Sequence, residues 1–244
     1  MFALWFRAGQ FTPEQLRIFF TIVGLVAAMV LFLVVRAFLV KRRRDGMMPQ
    51  AAMAAGFSYD GDIEPFSGSD AILTADLFTS GTSAEFAHVM RGSAGGLSVT
   101  VFDYSFRMAG DRNQRSLPQT VAVFRLSERE LPRFQLKPEN FVAKLEAKLG
   151  KRDINFDSNP VFSQKFTLRG EDEEGVRKLF TSDVLAYFEG ADWKPWQVVE
   201  GCGNSVLIYR MGRLVEPEEL RMWVDEMAQP VTMLRDKSRA TFGV

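Results

Sequence analysis

Residues 18–35 read IFFTIVGLVAAMVLFLVV, eighteen positions without a charge or a proline. Arg36 and then Ala37-Phe38-Leu39-Val40 carry the run to 23 residues. A helix needs about 20 residues to cross ~30 Å of hydrocarbon at 1.5 Å per residue. The stretch is therefore read as a transmembrane helix over 18–40. Arg36 lies near its end, where a long apolar stem lets the guanidinium reach the headgroups. The competing reading, a core helix of a soluble protein, fits poorly with the length of the run and the charges beside it.

Those charges set the expected orientation. Lys41, Arg42, Arg43 and Arg44 follow the apolar run, whereas only Arg7, Arg17 and the α-amino group precede it. Basic residues in short flanking segments stay on the cytoplasmic side. The C-terminal part is thus expected in the cytoplasm, with the cluster against anionic headgroups. A cleaved signal peptide would carry its basic residues before the apolar core, not after it. Residues 1–17 hold Phe2, Leu4, Trp5, Phe6 and Phe11, an interfacial segment with Trp5 at headgroup depth. Thr12-Pro13-Glu14-Gln15 is a helix start: Thr12 as N-cap, Pro13 at the first helical position, Gln15 closing a capping box.

Beyond the membrane, residues 41–56 are read as a basic juxtamembrane segment and an Ala/Met/Gly-rich linker. Residues 57–244 are enough for one domain with its own core. Ala71 to Phe78 is a short helix capped by Ser69 or Asp70. Phe86 to Met90 and Leu97 to Arg107 are strands, with a turn at 92–96 between them. In the second, the apolar set changes face near Val101-Phe102, which implies a bulge or burial on both sides. Gln119 to Leu126 and Phe134 to Lys137 continue the sheet. Pro138 opens a helix to Leu149. Val161 to Arg169 alternates as a strand, with Phe162, Phe166 and Leu168 inward. Two helices or one broken one cover 171–189. Gln197 to Glu200 and Val206 to Arg210 form a hairpin across 201–205. Pro217 starts a last helix with the stripe Leu220, Trp223, Val224 and Met227, which Pro230 should kink or end. The fold class is α+β: an N-terminal transmembrane helix, then one soluble domain with a mainly antiparallel sheet and flanking helices.

Composition excludes several functions. The chain has no net charge, but seven Lys/Arg and one acid precede Asp45, leaving 23 basic and 29 acidic residues after it. A domain near −6 lacks the basic footprint that nucleic acid requires. One cysteine, Cys202, and one histidine, His88, leave little room for zinc sites or dithiol redox chemistry. No cofactor is expected.

The phrases Phe102-Asp103-Tyr104-Ser105-Phe106, Gln119-Thr120-Val121, Leu131-Pro132-Arg133-Phe134 with Lys137-Pro138-Glu139, Asp153-Ile154-Asn155-Phe156 and Leu168-Arg169-Gly170-Glu171-Asp172-Glu173 run from Phe86 to Glu219 as short blocks. Together they resemble a bacterial family of uncharacterised proteins, often with an N-terminal membrane helix. The resemblance implies a bacterial inner-membrane setting and transfers no site.

Each candidate for chemistry has a plainer account. Asp60-Gly61-Asp62-Ile63-Glu64 begins like an EF-hand loop, but Pro65 replaces the required Gly and Ala71 the final Glu. Glu171 to Glu174 suit the first turn of a helix, where carboxylates complement the dipole. Gly92-x-x-Gly95-Gly96 and Gly201-x-Gly203 lack the Lys-Ser/Thr ending of a phosphate loop and read as hairpin turns. His88 and Cys202 have no partner visible in the sequence, so neither is assigned a catalytic role; Cys202 is read as a small turn residue. The best functional patch is Arg107, Arg112 and Arg115 around a polar hairpin loop, suited to an anion or an acidic partner.

Two classes of function follow. The first is a non-catalytic, membrane-tethered interaction or regulatory domain with a protein partner. The second is an enzyme using carboxylates or arginine, such as a hydrolase with an oxygen-ligated metal. Convergent carboxylates in a deep pocket favour the second; a flat or grooved surface favours the first.

Overall fold

The computed structural model describes residues 12–108, 116–126, 131–139 and 153–242. The chain separates into two compact units, Met1–Gly46 and Met47–Val244.

Helix α1 (Pro13–Ala54) opens with the expected capping box. The Thr12 amide donates to Gln15 Oε1 at 3.0 Å, and the Gln15 amide donates to Thr12 Oγ1 at 3.3 Å. Two end donors are thereby satisfied reciprocally. From Ile18 to Val40 its large apolar side chains are exposed, and by length and composition the helix is able to cross a membrane. Trp5 lies outside the described residues. The expected linker is corrected: the chain stays helical to Ala54, with Pro49 inside the helix. Alanine is the strongest helix former, which offsets the hydrogen bond lost at Pro49. Within the second unit, Met48 and Ala52 are only 1% and 0% exposed and belong to the core.

That unit is built on one eight-stranded sheet in the order β1-β2-β3-β4-β8-β7-β5-β6. Its strands are β1 (Ser58–Gly61), β2 (Gly81–Ala94), β3 (Leu97–Met108), β4 (Ser116–Arg125), β5 (Leu131–Pro138), β6 (Phe166–Gly170), β7 (Gln197–Gly203) and β8 (Ser205–Arg210). All paired neighbours run antiparallel. With the helices α3 (Pro160–Lys165), α4 (Glu173–Leu179), α5 (Ser182–Gly190) and α6 (Leu220–Phe242), the class is α+β as the sequence implied. The short helix α2 (Asp76–Thr79) follows a 3₁₀ turn at Ala71–Thr74, whose N-cap is Asp70.

Two hairpins are tighter than the sequence suggested. Ala94 pairs with Leu97, so only Gly95 and Gly96 turn, at φ 58° and 73°. Such a turn needs two left-handed residues, and its twist matches the strands it joins. Gly92 therefore belongs to β2, and β2 extends well beyond Phe86–Met90. Cys202 pairs with Ser205, so Cys202 is a strand residue and not a turn residue.

Both faces of the sheet are covered, which explains why Val101 and Phe102 are both apolar: they are buried on opposite sides. The β3–β4 register through them has no bulge. One face carries α3 to α6, including the Leu220, Trp223, Val224 and Met227 stripe, together with Met48 and Ala52. The other carries the strap from Phe66 to Ser80, whose Ile72, Leu77, Phe66 and Phe78 lie on Phe102, Tyr104, Phe106, Val121 and Tyr209.

Three sequence readings change. Residues 160–165 form helix α3 and the strand starts only at Phe166. Pro160 sits in the first turn, and Glu189 Oε1 accepts the free Phe162 amide at 3.0 Å, capping the helix from another element. Pro138 ends β5 instead of opening a helix; residues 140–152, where that helix was expected, are outside the described set. Helix α6 continues through Pro230 to Phe242, because Val231 and Leu234 beyond the proline are core residues.

The burial of Met48 and Ala52 makes a prediction about boundaries. A fragment from Met47 should unfold cooperatively. One from Phe57 should be less stable by about 2–5 kcal/mol, the usual loss for removing a buried Met side chain. Thermal melts of the two fragments check this; equal midpoints would mean the last turns of α1 contribute nothing to the core.

Candidate functional site

A cluster of buried polar groups lies where the strap meets the sheet. They come from β7, β8, β5 and α2. Val198, Glu200 and Cys202 alternate onto the strap face of β7, and Gln135 stands opposite Glu200 on β5. Glu200 Oε1 accepts the Tyr209 hydroxyl at 2.6 Å and Gln135 Nε2 at 3.2 Å. Its Oε2 accepts the Leu77 backbone amide of the strap at 3.4 Å. Beside it is Asp76, whose Oδ1 accepts Arg133 Nη2 at 2.9 Å. Arg133 Nη1 reaches Glu171 Oε1 at 3.2 Å, and Nη2 also donates to the Thr74 carbonyl. Asp76 and Glu200 are 6% and 2% exposed.

Burial raises the Glu200 carboxyl to about 7, and the negative charge of Asp76 adds to this. The bonds from Tyr209, Gln135 and Leu77 act the other way and are outweighed. A carboxyl taken out of water without a bonded cation keeps its proton. The same burial, with Glu200 beside it, pushes the Tyr209 hydroxyl well above its ordinary value.

The strap is fastened at its other end by Asp70, which accepts from both Arg125 Nη groups, the Nη1 bond being 3.2 Å. Burial pushes Asp70 up, but the hydrogen bonds from Arg125 and Ile72 outweigh it and hold the carboxyl below its usual value. Arg125 also bonds Ser205 Oγ at 2.8 Å and lies over the Phe66 ring. Cys202 completes the seam: its thiol donates to the Ala71 carbonyl at 3.3 Å and lies 3.4 Å from Thr74 Oγ1.

The residues singled out from sequence fare unevenly. His88 has partners: its Nδ1 lies 2.9 Å from the Tyr59 hydroxyl, and its backbone amide donates to Asp62 Oδ1 at 2.9 Å. It sits at φ 52°, where β2 shifts register. His88 and Cys202 lie on β2 and β7, four strand steps apart, or roughly 19 Å at the usual spacing. They form no dyad. Asp60 pairs with Arg91, so the EF-hand-like loop is tied to β2. In the acidic run, Asp172 caps α4 by accepting the Gly175 amide at 3.0 Å. Glu173 and Glu174 pair with Arg177 and Lys178 one turn on. No group of three His, Cys, Asp or Glu suited to a metal occurs among the described residues. Arg107 is exposed on β3, while Arg112 and Arg115 are outside the described residues. Arg36, Lys41, Arg42 and Arg43 are exposed along α1, and Arg44 is half-buried.

No protein-family model and no curated protein sequence matches the chain. Among solved structures, the crystal structure of the mycobacterial trehalose monomycolate transport factor A, TtfA, is similar at a TM-score of 0.55 and 12% identity. The match covers 81% of this chain and 96% of that one. At that identity the likeness is one of fold.

Glu200 makes stability depend on pH with a definite sign. Its folded value is raised, to about 7 from 4.5. Its contribution is therefore fully present below 4.5 and is lost as pH rises through 7. Glu200→Gln removes this linkage. Relative to the native protein, the variant should gain about 3 kcal/mol between pH 4.5 and pH 8. Urea unfolding of both proteins across that range measures the difference; a constant difference would show that Glu200 titrates normally.

Proposed function

We propose that this chain is a single-pass protein of the bacterial inner membrane that presents a non-catalytic interaction or regulatory domain in the cytoplasm, and that it serves a transport process there as an accessory factor. The observation that carries this reading is the fold shared with TtfA, a transport factor, over 96% of that chain. The membrane-length helix supports the anchor. The basic residues Arg36, Lys41, Arg42, Arg43 and Arg44 support the orientation. The last four would add ~1 kcal/mol each against an anionic leaflet. The resemblance of the sequence to a bacterial family of membrane-anchored proteins fits the same setting.

We assign the exposed Arg107, with Arg112 and Arg115 that follow it in the sequence, to an acidic partner or anion. The enzyme reading would draw on Asp76, Glu200 and Arg133; the two carboxyls are buried where the strap meets the sheet, while the Arg133 side chain is partly exposed.

Two experiments test the proposal. A C-terminal fusion to a reporter active only in the periplasm should be silent, and one to a cytoplasmic fluorescent protein should glow; periplasmic activity would overturn the topology. A photo-crosslinker at position 107 of the full-length protein in living cells should capture an integral membrane transport protein. Capture only of soluble proteins, or of none, would overturn the accessory role.

A further inference from the structure

The strap from Phe66 to Ser80 differs from the helical cover on the opposite face. Its regular structure is one 3₁₀ turn and one four-residue helix. It is attached to the sheet through side chains: Asp70 to Arg125, Asp76 to Arg133, Cys202 to the Ala71 carbonyl, and Glu200 to the Leu77 amide. Beneath it lie Phe86, Phe102, Tyr104 and Phe106, in ring contact with one another and with Phe66 and Phe78. A short segment that joins the sheet through side chains and not through strand pairing is a unit able to open without the rest of the domain.

The charges around Glu200 favour such opening when it ionises. From the strap it faces Asp76, an acid. From β8 it faces the Tyr209 hydroxyl, and from β5 the neutral Gln135. Cys202 is on its own strand and points its thiol at the Ala71 carbonyl. The cation Arg133 is engaged by Asp76, Glu171 and the Thr74 carbonyl. Lys137, also buried, stands two residues along β5 from Gln135. Ionised Glu200 thus places a second negative charge next to Asp76 in a dry contact, and like charges there repel strongly. Lifting the strap rehydrates both.

We propose that the strap is a proton-gated cover: with Glu200 protonated it stays closed over the aromatic face, and loss of that proton loosens it. This goes beyond the proposed accessory role and holds whatever the partner is.

Hydrogen exchange of the full-length protein in detergent micelles tests it. The Ala75 and Phe78 amides report on the strap, since they bond within it to the Ile72 and Ala75 carbonyls and not to Glu200. After correction for intrinsic rates, their protection should fall about tenfold from pH 6 to pH 8, the change linkage gives for a carboxyl moving between the closed value and an ordinary one. Strap amides should be less protected than those of α6 at both pH values, because a local opening has a lower free energy than global unfolding. In Glu200→Gln the strap amides should keep their protection, within about twofold of the pH 6 value. Unchanged strap protection in the native protein would overturn the proposal, and that comparison stands without the variant. So would strap protection equal to that of α6 at both pH values, which signals global unfolding, or an undiminished fall in Glu200→Gln.

Discussion

A sheet covered on both faces must account for every polar side chain its strands carry inward, and in this protein the demand falls on Glu200. Its alternation along β7 fixes it on the strap face, between Val198 and Cys202. The donors that meet it, Tyr209, Gln135 and the Leu77 amide, orient the carboxyl without supplying a counter-charge. Retaining the proton is the remaining way to avoid a buried ion, whose desolvation outweighs hydrogen bonds of this kind. The strap supplies one donor from its backbone and, in Asp76, a like charge that disfavours ionisation of Glu200.

The strap face has two characters. Across β2 and β3 it is aromatic, with Phe86, Phe102, Tyr104 and Phe106 in contact. Across β7, β5 and β6 it is polar, with Glu200, Gln135, Arg133 and, beyond them, Thr167 and Arg169. The strap bridges the two, placing Phe66 and Phe78 over the rings and Asp76 over the polar half. On the opposite face, Phe134, Phe162, Phe166, Phe180 and Phe188 pack with the helices. That core is deeper and is joined by Met48 and Ala52 from the end of α1. The second unit is thus held firmly from one side and latched from the other.

Much of this was legible in the sequence where local chemistry decides. The Thr12–Gln15 capping box, the α6 stripe and the long strand from Leu97 each follow from spacing alone. Misreadings arose where tertiary contacts override local signals. Residues 45–54 look like a linker until Met48 and Ala52 find the core. Residues 161–165 alternate like a strand but are capped as a helix by Glu189, almost thirty positions away. The polar cluster itself was missed, although a signal existed: Glu200 is the single acid in Gln197-Val198-Val199-Glu200-Gly201, a run otherwise fit for burial. Its partners, Tyr209, Gln135 and Leu77, lie on three other elements, so only the strand order could assemble them. Some phrases behind the family resemblance also pair in space: Thr120 donates to Asp103 at 2.7 Å, Arg169 to Asp153 at 2.6 Å, and Arg133 meets Glu171.

The central claim is that Glu200 is a buried carboxyl that holds its proton near neutrality. The direct measurement is a pH titration of its side-chain carboxyl carbon by NMR, in protein labelled at glutamate and assigned by comparison with Glu200→Gln. The account predicts a midpoint of about 7, set by burial and by Asp76. A midpoint near 4.5, the ordinary value for this side chain, would contradict it.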